Sequence, residues 1–290
     1  MTQAQTANKA TIRDAVEGNL RRSAILSHGA IGVLVGLVLG FVVLKVVGAV
    51  LGAAVLGAIA AVYGVASSRR VVESALGAVM ARIDSREIGE SDAPRLFNLL
   101  EGLCAVTGVS VPRVSVTRDR GINSLVAADP ARELASELVV TTGFIELLER
   151  IEMEGVVAVG LARLRSGAAE AQTLVATLTI SRPWYVTAGQ LGSLDELVSD
   201  GQTIFDDDVK GAGITRYPPG LAAAFQRMLG TSTQVANFDP NLVGLWVANP
   251  RGEADVAANS ADASISGSRV ETPTDVRPPL HERLALLREI

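Results

Sequence analysis

Imidazole and thiol side chains, the usual ligands of a catalytic zinc, are few in this chain, and they are scattered. Its 290 residues include two histidines, His28 and His281, and one cysteine, Cys104. His28 lies in a long apolar run and His281 in a C-terminal P-P-L-H-E-R segment, with no second imidazole one helical turn from either. A catalytic zinc centre takes three protein ligands including His or Cys, so this supply does not assemble one. The acidic run Asp206-Asp207-Asp208 could hold Mg²⁺ or Ca²⁺ weakly, or at a helix start simply favour the helix dipole and solvent. Cys104 sits in a Leu-rich helical pattern and reads as a small core residue. The stretch that organises the chain is 146–174, where Ile151, Val156, Val157, Leu161 and Leu164 recur at helical spacing around Val159-Gly160-Leu161-Ala162-Arg163.

Composition bounds what can position these residues. Hydrophobic residues make up 48% of the chain, and the mean hydropathy is +0.33, high for a purely soluble protein. The net charge of −5 gives no reason to expect a nucleic-acid partner. A single cysteine allows no internal disulfide and so implies no oxidising compartment.

Between residues 25 and 66 the ionisable side chains are His28, Lys45 and Tyr63. The run exceeds one bilayer crossing of roughly 20 residues, and a cut at Lys45 gives two spans, 25–44 and 46–66. Gly32, Gly36 and Gly40, with Gly48 and Gly52, have the G-x-x-x-G spacing that lets two helices approach closely. Arg21-Arg22 precede the first span and Arg69-Arg70 follow the second, so the positive-inside rule places both ends in the cytoplasm. Before the spans, Ile12, Val16 and Leu20 share a helical face, fitting an interfacial helix or a solvated tail.

Beyond the membrane the pattern alternates helix and strand. Residues 71–83 and 95–107 read as helices. Val111-Pro112-Arg113-Val114-Ser115-Val116-Thr117 and 138–143 read as strands, with a turn at 121–124. Residues 169–180 continue a helix too short to span a bilayer. Residues 181–202 read as a loop or short helix over the cleft, with Trp184-Tyr185 as core anchors or an exposed contact. Residues 251–277 are poor in apolar side chains and read as a flexible insertion before a closing amphipathic helix.

These pieces, in this order, resemble the membrane-bound zinc metalloproteases typified by the heat-shock protease HtpX and the CAAX prenyl proteases. The strand 111–117 with Ile122-Asn123-Ser124-Leu125 resembles the family's P-x-V-x-V … N-A-F passage. Residues 137–145 resemble V-x-V-T-x-G-L-L, and Glu152-Met153-Glu154-Gly155-Val156-Val157-Ala158 resembles the lead into H-E-x-x-H. Ile214-Thr215-Arg216-Tyr217-Pro218-Pro219-Gly220-Leu221, Leu245-Trp246-Val247-Ala248-Asn249-Pro250 and Arg277-Pro278-Pro279-Leu280-His281-Glu282-Arg283-Leu284 resemble three later family passages.

The resemblance implies where the metal site would lie. The two histidine positions fall on Val159 and Arg163, the general-base position on Gly160, and the third ligand, a glutamate opening E-x-x-x-D, on Ile204 with its aspartate at Asp208. A slip of register would bring in Asp206 or Asp207. Valine offers no lone pair and Arg163 keeps its proton, so the zinc the family uses has lost its ligands and no cofactor is expected. The expected crosslink in its place has Val159 packing on Ile204, and Arg163 either pairing with Asp208 or its neighbours or pointing to solvent.

The resulting expectation is a mainly α, α+β protein. Residues 1–24 form a cytoplasmic N-terminal segment and 25–66 a transmembrane helical hairpin. Residues 67–250 form a gluzincin-like metalloprotease domain with a small β-sheet, 251–277 the insertion, and 278–290 the domain's last helix. The chain is expected to be a multi-pass cell-membrane pseudoprotease, not an enzyme, serving as a scaffold, adaptor or regulatory subunit. Its partners would be the lipid bilayer and one or more membrane proteins. Two alternatives stand beside it: a hydrolase with a non-standard metal site, and a lipid or peptide binder using the vestigial cleft.

Overall fold

A computed structural model describes residues 2–132, 135–252 and 278–290, with the backbone alone for 2–13, 41–49 and 199. The apolar stretch is helical as α1 (Thr2–Glu73), and it doubles back on itself. Gly36 lies against Gly52 and Ala53, Gly32 against Leu56 and Ala60, and Gly64 against Ala24. A Cβ on Gly36 would come within 2.2 Å of the Ala53 Cα, so the crossing leaves no room for a side chain there. The small-residue spacing therefore packs arm on arm. The expected positions of Lys45 and Gly48 at the turn fall among side chains outside those described. Asp14–Gly40 and Val50–Glu73 are each long and apolar enough to cross a bilayer. Their outer faces leave Leu26, Leu34, Leu51, Ile59 and Val62 between 59% and 71% exposed, a surface suited to lipid rather than water.

The domain that follows is α+β. Helix α2 (Ala75–Met80) and β1 (Arg86–Glu87) lead into α3 (Pro94–Thr107), which ends at Gly108 with φ 70°. Strands β2 (Arg113–Thr117), β3 (Ser124–Ala128) and β4 (Ser136–Thr141) complete a sheet of order β1-β2-β4-β3. β2 runs parallel to β4, with Val114 opposite Leu138, while β3 is antiparallel to β4. Strand β3 follows directly on the expected turn at 121–124 and has no counterpart among the expected strands. All five of its residues are buried, so it lacks the polar–apolar alternation that marks a half-exposed strand.

Short α4 (Thr142–Leu147) precedes α5 (Arg150–Ser166). The organising stretch is thus not one helix. A capping box between Glu149 and Glu152 starts α5, and Gly167, at φ 83°, ends it and starts α6 (Ala168–Ser181) in a new direction. Helices α7 (Ala188–Ser199), α8 (Gly201–Thr215), α9 (Pro218–Gly230), a 3₁₀ turn (Pro240–Leu245) and α10 (Leu280–Glu289) follow. The expected insertion at 251–277 lies almost wholly outside the described residues.

Helix α5 is the centre of the domain. It is buried almost all round, against α3, α8 and α9 on its flanks and β3 on the sheet. Two glycines let it sit this close: a Cβ on Gly155 would meet the Leu221 Cα of α9 at 2.7 Å, and one on Gly160 would meet Val126 of β3 at 2.7 Å. Arg227 of α9 bonds Glu152 at 2.7 Å and 2.9 Å, fixing the start of α5 to α9. Val16, Leu20 and Ala24, spaced by four residues, bury against α6 and α7, so the N-terminal face is a docking face rather than a solvated tail. At that joint His28 packs against Trp184, 4.4 Å between ring centroids, and against Tyr185 and Tyr63. Tyr185 is buried, whereas Trp184 is 60% exposed.

Candidate functional site

The site implied by sequence lies where α5, α8, the segment 240–248 and α10 meet. Val159 is buried on α5 and meets α8 at Gly211, where a Cβ would come within 2.7 Å of the Val159 Cγ2 and 2.9 Å of its Cα. Ile204, two turns earlier on α8, joins none of the three buried clusters that hold the core. The backbone of α8 comes closest to Val159 at Gly211, about two turns beyond Ile204. Gly160 faces Val126 and the sheet.

Arg163 turns inward and is buried. Its guanidinium donates to the carbonyls of Leu245 at 2.9 Å and Gly244 at 3.2 Å, and to the Gln172 side-chain oxygen. Gln172 in turn donates to the Val198 carbonyl at 3.2 Å, which ties α7 into the same network. Burial pulls Arg163 below its ordinary value, while the charges of Asp207 and Asp208 pull it back up.

The acidic run does not sit at a helix start. Helix α8 begins at Gly201, so Asp206, Asp207 and Asp208 fall in its second turn, with Asp207 and Asp208 buried. Asp208 is clamped by Arg283 of α10 through two bonds of 2.7 Å. Arg283 also donates to the Val247 carbonyl and stacks 4.6 Å from the Phe225 ring centroid. Among the described residues Asp207 makes no such bidentate pair, and its buried Oδ1 has no hydrogen-bond partner. Burial pushes its carboxyl up to about 6, against the pull of Arg163 and Lys210. Sequence reasoning assigned no role to Arg283 or Gln172. The only available signal was Arg283's place in the closing P-P-L-H-E-R-L segment.

The segment 240–248 covers the outer edge of β3. Leu125 bridges Trp246, Val247 N–H donates to the Ser124 carbonyl at 2.8 Å, and buried Asn123 bonds both the N–H and the carbonyl of Ala248. Zinc does not fit the residues present. The three ligand positions offer two hydrocarbon side chains and a buried cation, which would repel a dication, and among the described residues no group of three or more His, Cys, Asp or Glu converges. His28 lies at the membrane joint and His281 is exposed on α10. Cys104 is buried, and burial pushes its thiol up to about 11, away from thiolate chemistry. What the arrangement can do chemically is hold or release one proton near neutrality, at Asp207, beside a fixed guanidinium.

The hairpin, the sheet with its buried crossing helix, and the α5–α8 helix pair define a membrane-anchored α+β domain. Neither a family model nor a solved structure matches the chain. It is, however, similar to a "Protease HtpX homolog" of Dictyoglomus turgidum, 24% identical over 234 residues, 70% of this chain and 71% of that protein. It is likewise similar to that of Dictyoglomus thermophilum, 25% identical over 195 residues, 57% of this chain and 64% of that protein. A third relative, from Streptococcus pyogenes serotype M5, is 21% identical over 265 residues, 78% and 84% of the two chains. The chain is thus similar to HtpX homologues over most of its length, and its two apolar arms are each long enough to cross a membrane. These names overturn the expectation that it is not an enzyme: the relatives are named as proteases. The physical reason is that missing zinc ligands remove one hydrolytic mechanism, not every one.

Proposed function

We propose that this chain is a two-span HtpX-like membrane protein, with both termini cytoplasmic, whose domain serves as a scaffold, adaptor or regulatory subunit in a membrane complex. The observation that supports this reading is the closure of the family's site position. Val159 abuts Gly211, Arg163 bonds the 244–245 carbonyls, and Arg283 clamps Asp208, so packing persists where ligands do not. Orientation follows from Arg21-Arg22 and Arg69-Arg70 flanking the hairpin, with Lys45 between the spans. Affinity purification from native membranes tests the proposal, with the expectation that a membrane protein co-purifies in fixed ratio. Recovery of the chain alone, after mild solubilisation and crosslinking, overturns it.

A second reading, a membrane hydrolase with a non-standard centre, is favoured by the relatives' name and by Asp207, a buried carboxyl near neutral beside Arg163. Purified full-length protein would cleave an unfolded protein substrate, and D207N would abolish the cleavage without altering the melting temperature at low pH. Cleavage retained in D207N removes Asp207 from the mechanism.

A further inference from the structure

The strongest unassigned feature lies at the end of the hairpin that meets the domain. A groove of about 520 Å³ runs along the second arm, lined by Ile25 of the first arm, by residues 61–62 and 65–66 of the second, and by Arg69, Arg70 and Glu73. Its two ends differ in chemistry. The membrane end is wholly apolar, and two alanines hollow it where larger side chains would fill it. The domain end carries two exposed guanidiniums, Arg69 and Arg70, and none of the ion pairs among the described residues engages either. Glu73, also exposed, follows Arg70 by three residues, about 4.5 Å further along the helix axis.

We propose that this groove is a binding site for one phospholipid with an ethanolamine-type headgroup. An acyl chain lies on Ile25, Ala61, Val62 and Val65; the phosphate sits on Arg69 and Arg70; the ammonium beyond it reaches Glu73. The charge order decides the headgroup. Moving outward from the apolar wall, the groove presents positive and then negative charge, the complement of a phosphate followed, across a two-carbon bridge, by an ammonium. A purely anionic headgroup would match the arginines but meet Glu73 with like charge. Arginine suits the phosphate because its planar fork donates in pairs to phosphate oxygens. A headgroup with three methyls on nitrogen offers Glu73 no N–H to accept from.

The test is native mass spectrometry of the full chain released from nanodiscs of equal phosphatidylethanolamine, phosphatidylglycerol and phosphatidylcholine. The expected result is one retained phosphatidylethanolamine on the wild type, lost at least tenfold in R69Q/R70Q. E73Q should lose the preference for phosphatidylethanolamine over phosphatidylglycerol while keeping bound lipid. R21Q/R22Q, which removes the other exposed arginine pair at the membrane edge, should bind as the wild type does. Equal losses in the two arginine pairs would reduce the site to general surface charge and overturn the proposal, as would phosphatidylglycerol retained in preference to phosphatidylethanolamine. Circular dichroism of each variant, matching the wild type, separates lost lipid from lost fold.

Discussion

Two arginines are buried in one corner of the domain, and the protein answers them in opposite ways. Arg283 meets a full countercharge in bidentate geometry, two bonds of 2.7 Å to Asp208. Arg163 meets only dipoles: the carbonyls of Gly244 and Leu245 and the amide oxygen of Gln172. The charge that acts on it most strongly, Asp207, keeps an oxygen with no hydrogen-bond partner among the described residues. Adjacent carboxylates on α8 thus have different fates. Asp208 is held by geometry, while Asp207 is left free to exchange its proton. A closed ion pair ties α8 to α10; the raised carboxyl of Asp207 makes the contact around Arg163 depend on pH.

The sharpest way to break that contrast is to remove the closed pair. R283M should destabilise the folded domain by about 3–5 kcal/mol, because it strands a fully buried Asp208 without a cation. Thermal unfolding in detergent reads this directly. Adding D208L to R283M should recover part of the loss, since a hydrophobic pair no longer carries a buried charge. If R283M melts like the wild type, Asp208 is not held by Arg283 in solution.

Removing the open pair should act through pH. An aspartate in an unfolded chain titrates near ~3.9, and Asp207 in the fold near about 6. Between those values the folded protein holds a proton that the unfolded chain has lost. Its stabilising contribution is complete below about 4, falls as pH rises, and is gone above about 6, a change on the order of 3 kcal/mol. D207N, which mimics the protonated acid, should flatten the melting temperature across that window and exceed the wild type at pH 7. An unchanged slope in D207N assigns the pH dependence elsewhere.

How much of this was readable beforehand follows from sequence distance. The hairpin glycines, β2, and the burial of Val156 and Leu161 are local patterns of period 2, 3.6 or 4, and β4, though buried throughout, is a β-branched run closed by Gly143. β3 (S-L-V-A-A) is also buried throughout but has a single β-branched residue and no closing glycine, so neither signal marks it. The break at Gly167 was also hidden, since a single glycine in an apolar run looks like a tolerated helix residue until its φ is known. The acidic run was misplaced because α8 starts earlier, at Gly201. The partners that define the site are farther still: Arg283 bonds a residue 75 positions away and Arg163 one 82 positions away. Nothing in a one-dimensional pattern distinguishes these arginines from solvated ones.

The smallest expected effect tests whether dipoles alone can hold Arg163. Among the described residues Gln172 is the one side chain that accepts from it, and it is itself fixed by donation to Val198. Q172A removes one acceptor from a buried cation that keeps two carbonyls, so it should cost about 1–2 kcal/mol, less than R283M. It should also shift the balance towards Asp207. With less neutralising contact, Arg163 would draw on the neighbouring carboxylate, and the pH at which stability falls should move down. Measured together, Q172A and D207N form a cycle. Coupling between them would mean that Gln172 and Asp207 share the task of compensating Arg163, whereas additivity would mean that Arg163 is held by carbonyls alone and that Asp207 owes its raised value to burial.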